Sequence, residues 1–247
     1  MSASRYDVAA EPTAEVMAHN YKAVCETIAH ESAGRRVMLV AVSKTKSPAC
    51  VLGLYQLGQR VFGENYVQEL TEKSQELPSD ILWHFVGHLQ SNKVKELLEG
   101  VPGLGVIQTI DSEKLALKVN DGCAKYRGGR PLEVYIQVNT SGEETKSGTE
   151  PGEPTVALAK YVAQECPLLQ LRGLMTIGMP DYTSRPENFE CLTKCRDEVA
   201  AAVSVQPEEL ELSMGMSGDY VSAIRMGATT VRVGTSIFGT RFYPPKT

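Results

Sequence analysis

Val37-Met38-Leu39-Val40-Ala41-Val42-Ser43-Lys44 is an apolar, β-branched run that ends on a hydroxyl and an amine. The spacing predicts a strand over 37–42 buried on both faces, as strands of a helix-covered parallel sheet are. An α/β fold follows from that reading. Lys44 then stands just past the C-terminal end of the strand, where barrels of this class collect their functional groups.

Working outward, residues 11–31 place Val16, Tyr21, Val24 and Ile28 near helical spacing, and a leading helix is expected there. Gly34 and Arg35-Arg36 release the chain into the strand. Downstream, Pro48 sits where a helix can begin, 51–57 has helical spacing, and Gly58 can stop it. Strands are expected over 60–65 and 81–88, with a helix over 66–77 ended by Pro78 between them. The alternation continues with a helix over 92–99, a strand over 106–110, a helix capped by Asp111 or Ser112, and a fifth strand over 132–138. A polar loop over 139–152 contains Gly142, Ser147 and Gly148. Helices over 155–165, 187–203 and 220–226 then alternate with strands over 171–177, 210–213 and 230–233, the last leading on towards Phe238-Gly239. About eight strands alternating with helices predict one (β/α)8 TIM barrel over residues 1–247, with the N-terminal helix as an addition and the tail after Arg241 peripheral. An open doubly wound sheet would bring a nucleotide fingerprint after its first strand, and neither G-x-G-x-x-G nor G-x-x-x-x-G-K-[ST] occurs.

The 247 residues suffice for one such barrel, and their formal net charge of -5, with Lys and Arg scattered, argues against a nucleic-acid partner. The N-terminus opens polar and no apolar stretch reaches membrane length, so a soluble, cytoplasmic protein without membrane partners is expected, a mitochondrial pool being compatible with the same sequence. Six cysteines lack a C-x-x-C; Cys191 and Cys195 share a helix face, where thiols pack more often than they bridge.

Two late segments draw the chemistry together: Glu211-Leu212-Ser213-Met214-Gly215-Met216-Ser217-Gly218 and Thr229-Thr230-Val231-Arg232-Val233-Gly234-Thr235-Ser236. Each runs from strand-like residues into small residues and hydroxyls, so backbone N–H groups and oxygens can converge on an anion. Phosphate sites in such barrels lie after strands 7 and 8, which makes the Ser217 hydroxyl and the N–H groups of Gly234 and Thr235 the candidates. The competing explanation is a pair of ordinary tight turns. Lys44 is either an amine made nucleophilic by burial or a lysine reaching solvent. Arg232, inside an apolar strand, needs an acceptor, which is a ring nitrogen, an acid or a structural ion-pair partner. Asn65 and His84 lie near strand ends and face either a ligand or, for His84 beside Trp83, the core. His84 and His88 lack a third ligand nearby, so no metal is assigned. Lys146 in the polar loop is either solvated or a second amine near the site.

With these residues in view, the sequence resembles the pyridoxal phosphate homeostasis protein family, also called the YggS-like or proline synthetase co-transcribed homologue family. The resemblance spans almost the whole chain. It rests on Val40-Ala41-Val42-Ser43-Lys44-Thr45-Lys46, Phe62-Gly63-Glu64-Asn65-Tyr66, Trp83-His84-Phe85-Val86-Gly87-His88-Leu89-Gln90, Gly173-Leu174-Met175-Thr176-Ile177-Gly178, Leu212-Ser213-Met214-Gly215-Met216-Ser217 and Val231-Arg232-Val233-Gly234-Thr235-Ser236-Ile237-Phe238-Gly239.

The resemblance implies a barrel like the N-terminal domain of alanine racemase, binding pyridoxal 5′-phosphate as a Schiff base on Lys44. Carried over by motif, Ser217, Gly234 and Thr235 would hold the phosphate and Arg232 would face the pyridine nitrogen, with Asn65, His84 and Met214 completing the cofactor site and no residue assigned a catalytic role. Racemases and decarboxylases of this fold add a β-rich domain for which a chain ending at Thr247 has no room, so an open site without an opposing acid or base is expected. The implied function is buffering, carriage or delivery of the cofactor, with apo forms of pyridoxal-phosphate enzymes as recipients. The alternative is an enzyme, either a small single-domain racemase or an aldolase in which Lys44 attacks substrate directly.

Overall fold

The computed structural model describes residues 6–143, 147–178 and 185–240. Among these, parallel strands β1 Met38–Val42, β2 Val61–Glu64, β3 Leu82–Phe85, β4 Leu104–Ile110, β5 Leu132–Gln137, β6 Leu169–Met175, β7 Glu211–Ser213 and β8 Thr230–Val233 close into a barrel in sequence order. The ring is sealed where Met38 pairs with Thr230 and Ala41 with Val233. The helices are α1 Ala14–Glu31, α2 Pro48–Gln56, α3 Val67–Glu76, α4 Val94–Gly100, α5 Glu113–Tyr126, α6 Glu153–Glu165, α7 Pro186–Val203, α8 Tyr220–Arg225 and α9 Thr235–Phe238. This is the (β/α)8 barrel the alternation predicts.

Three local departures shape the mouth of the barrel. Strand β8 does not run on towards Phe238: the N–H groups of Ile237 and Phe238 both return to the Gly234 carbonyl at 2.9 Å, winding residues 235–238 into α9. Strand β3 stops at Phe85 because the chain turns tightly at Gly87, where an added methyl carbon would lie 2.0 Å from the Asn65 carbonyl oxygen. Strand β6 starts at Leu169 and ends at Met175, two residues earlier at each end than the 171–177 reading, since Leu132 pairs with Leu169. Thr176 and Ile177 therefore leave the sheet at the mouth.

The leading helix is a working part of the ring. Thr13 caps it by accepting the Val16 N–H, and it buries Met17, Val24 and Ile28 against α2, α8 and α9. With only 4 residues, α9 is too short to cover the seam between β8 and β1, and α1 fills that place.

Most of the apolar core lies between sheet and helices, with Leu54, Phe62, Leu70, Phe85, Leu97 and Leu212 fully buried there. Each such side chain stabilises the fold by roughly 1.5–3 kcal/mol. Inside the barrel Val106, Tyr135 and Met175 form a small apolar cluster. Near the N-terminal ends of the strands a polar plug closes the interior: Glu211 accepts from the Tyr135 hydroxyl at 2.5 Å and from Thr230 at 3.3 Å, and pairs with Arg172 at 2.7 Å. Stability thus comes mainly from the outer layer, which leaves the opposite end of the interior for polar groups. The six cysteines are free thiols. Among the described residues no helix is long and apolar enough to cross a membrane, and no group of three or more His, Cys, Asp or Glu could hold a metal ion.

Candidate functional site

At the C-terminal end of the barrel, the loop after β7 folds onto the turn after β8. Ser217 Oγ accepts the N–H groups of Gly234 and Ser236, each at 3.2 Å, and the Ser236 hydroxyl donates to the Ser217 carbonyl at 3.4 Å. The two small-residue segments are therefore one structure. Gly215 makes the approach possible: its φ is +94°, and an added methyl carbon would stand 2.6 Å from Ala223 Cβ and 2.9 Å from Tyr220 Cα. Thr235 opens α9 and is exposed, whereas Met214 is fully buried in the main core with its N–H donated to the Thr230 carbonyl. Asp219 accepts the Met216 N–H at 2.6 Å, and burial raises its carboxyl pKa despite that bond and the charge of Arg232.

Below this loop pair a chain of polar side chains crosses the barrel. Arg232 donates to Ser213 Oγ and to the Thr176 carbonyl, both at 2.7 Å. Ser213 donates in turn to Gln108 Oε1 at 2.7 Å, and Gln108 Nε2 lies 2.9 Å from His84 Nδ1. Arginine can only donate, so the single Ser213 proton passes to Gln108, whose amide donates to His84; the network assigns the imidazole proton to Nε2. Nε2 itself is buried and has no hydrogen-bond partner among the described residues. Burial drives the His84 pKa down to about 3, with the Arg172 charge a smaller contribution, so the ring is neutral. Burial also pushes Arg232 down to about 10, partly opposed by Asp219, and it remains a cation at neutral pH.

Lys44 is half-buried in the turn that follows β1, between Ser43 and the left-handed Thr45 at φ 65°. Strand register fixes its neighbours. Ala41 pairs with both Val233 and Phe62 and Val42 with Gly63, so the chain ends carrying Gly234, Lys44 and Asn65 stand side by side around the mouth. A methyl carbon on Gly234 would come within 3.0 Å of the Val42 carbonyl oxygen. Asn65 also lines a cleft of about 410 Å³ with Tyr66, Gly87, His88, Gln90 and Lys93, whose walls do not include the Ser217–Gly234 pair.

The structure thus brings Ser217 and Gly234 into contact, links Arg232 to His84 through two intermediates, and sets Lys44 and Asn65 beside Gly234. Lys146 lies outside the described residues. Gln108, Ser213 and Thr176, which orient Arg232 and His84, were not singled out from sequence. Gln108 left one signal, a lone amide in phase with Val106 along a strand whose only other polar side chain is Thr109. Chemically, the mouth offers a primary amine, hydroxyl and backbone N–H donors, a buried guanidinium and an unpartnered imidazole N–H. That donor-rich set suits an anionic ligand with an electrophilic carbon.

Residues 14–242 match the family model described as alanine racemase, N-terminal domain. The pyridoxal phosphate homeostasis protein of Bos taurus is 48% identical over 217 residues, covering 85% of this chain and 79% of that one. The chain belongs to the pyridoxal phosphate homeostasis protein family. The curated relatives of this family carry the names of homeostasis proteins and not of enzymes. Among solved structures, PipY of Synechococcus elongatus PCC7942 with PLP bound has a TM-score of 0.68 at 33% identity, over 87% of this chain and 99% of that one. Alanine racemase from Corynebacterium glutamicum has a TM-score of 0.68 at 14% identity, over 94% of this chain and 63% of that one, which shows the shared barrel alone.

Proposed function

We propose that this protein binds pyridoxal 5′-phosphate and serves its homeostasis by buffering, carrying or delivering it, with Lys44 attaching it through a Schiff base. One observation carries the reading: Lys44 follows β1 two residues beyond Val42, and Val42 is the residue that Gly234, joined to Ser217, approaches from the end of the neighbouring β8. A phosphate and an aldehyde on one small ring are the pair of functions that such an arrangement holds. The naming of the relatives and the PLP-bound PipY structure support the same ligand.

Each residue has a distinct task in this proposal. Ser217, Gly234 and Thr235 would supply donors to the phosphate, and Lys44 Nζ, once deprotonated, would hold the group covalently at its aldehyde carbon. Bound pyridoxal phosphate supplies the aldehyde for capture and an electron-accepting ring. Arg232, a cation, would face the pyridine nitrogen, disfavour protonation there and so weaken the ring as an electron sink. Asn65 and His84 orient the ring, and Met214 contributes through its backbone. A held and releasable cofactor, passed in the cytoplasm to apo forms of pyridoxal-phosphate enzymes, is the resulting role.

The test is Lys44→Ala, reduced with borohydride in the presence of the cofactor and analysed by peptide mass. The expected result is loss of the covalent adduct with an unchanged melting temperature and residual, phosphate-held binding. A variant that still forms a reducible adduct would move attachment to another amine, such as Lys146.

A further inference from the structure

The turn that bears Lys44 is gripped from outside the barrel by a buried charged cluster. Lys73 of α3, with no exposed side-chain surface, donates to three acceptors: the Ser43 carbonyl at 2.8 Å, Glu64 Oε1 at 2.6 Å and Glu69 Oε1 at 2.7 Å. The residues on either side of Lys44 are tied to the same cluster. The Ser43 hydroxyl donates to Glu64 Oε1 at 2.7 Å, and the Thr45 N–H donates to Glu69 Oε1 at 2.8 Å. Thr45 is a β-branched residue at φ 65°, a conformation that persists only where its surroundings over-determine it.

Stability alone is a poor explanation for this cluster. Three charges are taken out of water in a place where well-packed apolar side chains of similar volume commonly do as well or better. What the ions provide and apolar groups cannot is directional bonding to the backbone immediately before and after Lys44. The far end of the same loop is held separately, by Glu11 on the N–H of Ser47 at 2.5 Å and its hydroxyl at 2.7 Å, and by Lys46 Nζ on the Thr240 carbonyl at 2.6 Å. A lysine stem is flexible, so the region its amine samples is narrowed chiefly by fixing the backbone at its root.

We propose that Glu69 and Lys73 are positioning residues for Lys44: through Ser43 and Thr45 they hold the amine in the approach that capture of an aldehyde requires. The proposal rests on Lys44 being the attachment residue. Glu69→Ala is the informative variant, since it removes the Thr45 contact yet leaves Lys73 paired with Glu64, and Glu69→Gln restores an acceptor in the same place.

The experiment follows the rate of borohydride-trappable adduct formation with pyridoxal phosphate, alongside equilibrium binding of pyridoxine 5′-phosphate, which has the phosphate and lacks the aldehyde. Glu69→Ala is expected to form the adduct about tenfold to a hundredfold more slowly, the range that a small misplacement of a reacting group produces. It should bind pyridoxine 5′-phosphate as the parent does, and Glu69→Gln should recover most of the rate. Thr45→Gly, which relieves the cost of the left-handed φ while keeping the N–H that Glu69 accepts, should retain the parental rate. A parental rate in Glu69→Ala overturns the positioning role and leaves Lys44 attachment standing. Parallel loss of adduct, pyridoxine 5′-phosphate binding and thermal stability assigns the cluster to folding alone and overturns it equally. A parent protein that forms no adduct at Lys44 removes the attachment reading, and this proposal with it.

Discussion

Replacing Gln108 by Leu breaks the polar chain across the barrel at its centre. The change leaves the volume similar but removes the acceptor of the Ser213 proton and the donor to His84 Nδ1. Two buried hydrogen bonds contribute about 0.5–1.5 kcal/mol each, and leaving the imidazole nitrogen unpaired costs about 1–3 kcal/mol more. The sum is about 2–6 kcal/mol, centred on ~4 kcal/mol. For a chain of this size each kcal/mol lowers the melting temperature by about 2–4 °C, so a fall of roughly 8–16 °C is expected. Urea titration gives the free energy, and a cycle with His84→Phe isolates the coupling. The double variant should cost about 1–2 kcal/mol less than the sum of the singles, because both ends of the lost bond are then apolar. Strict additivity, or a Gln108→Leu cost below about 1 kcal/mol, would refute a satisfied, buried relay.

Two further outcomes follow from the same geometry. Because the native His84 pKa of about 3 lies below the ordinary histidine value, the unfolded chain takes up this proton first, and stability is lost as pH falls from about 6.5 towards 3. Glu64, whose pKa burial raises, acts in the opposite sense, so the measurement is the difference between parent and His84→Gln: the parent should lose up to about 1.4 kcal/mol more per pH unit in that window, and identical slopes would sink the assignment. Ser217→Ala leaves the Gly234 and Ser236 N–H groups at a half-exposed site where water can replace the hydroxyl, so folding should change little. Retention of pyridoxal phosphate in equilibrium dialysis should fall by about 1.5–3 kcal/mol, roughly tenfold to a hundredfold, and unchanged retention would remove this hydroxyl from the site.

The sequence by itself determined the order of elements, because burial of a parallel strand on both faces requires an unbroken apolar run such as 37–42 and each helix announces its own periodicity. It also singled out Lys44, Arg232 and the Ser/Gly/Thr segments, since polar groups at the ends of such runs need a reason to be there. Local pattern could not decide how those groups meet. That Ser217 lies on Gly234 and Ser236 depends on the pairing of β7 with β8 and on space that only Gly215 leaves, both of which are long-range facts. The turn of the chain into α9 was likewise hidden, because Ile237 and Phe238 are as apolar in a helix against α1 as in a strand. Gln108 and the Glu64, Glu69 and Lys73 cluster were illegible for the same physical reason: a buried polar side chain is explained by its partner, and here, apart from the Glu69–Lys73 pair one turn apart on α3, the partners come from other strands or helices and are brought within hydrogen-bonding distance only when the barrel closes.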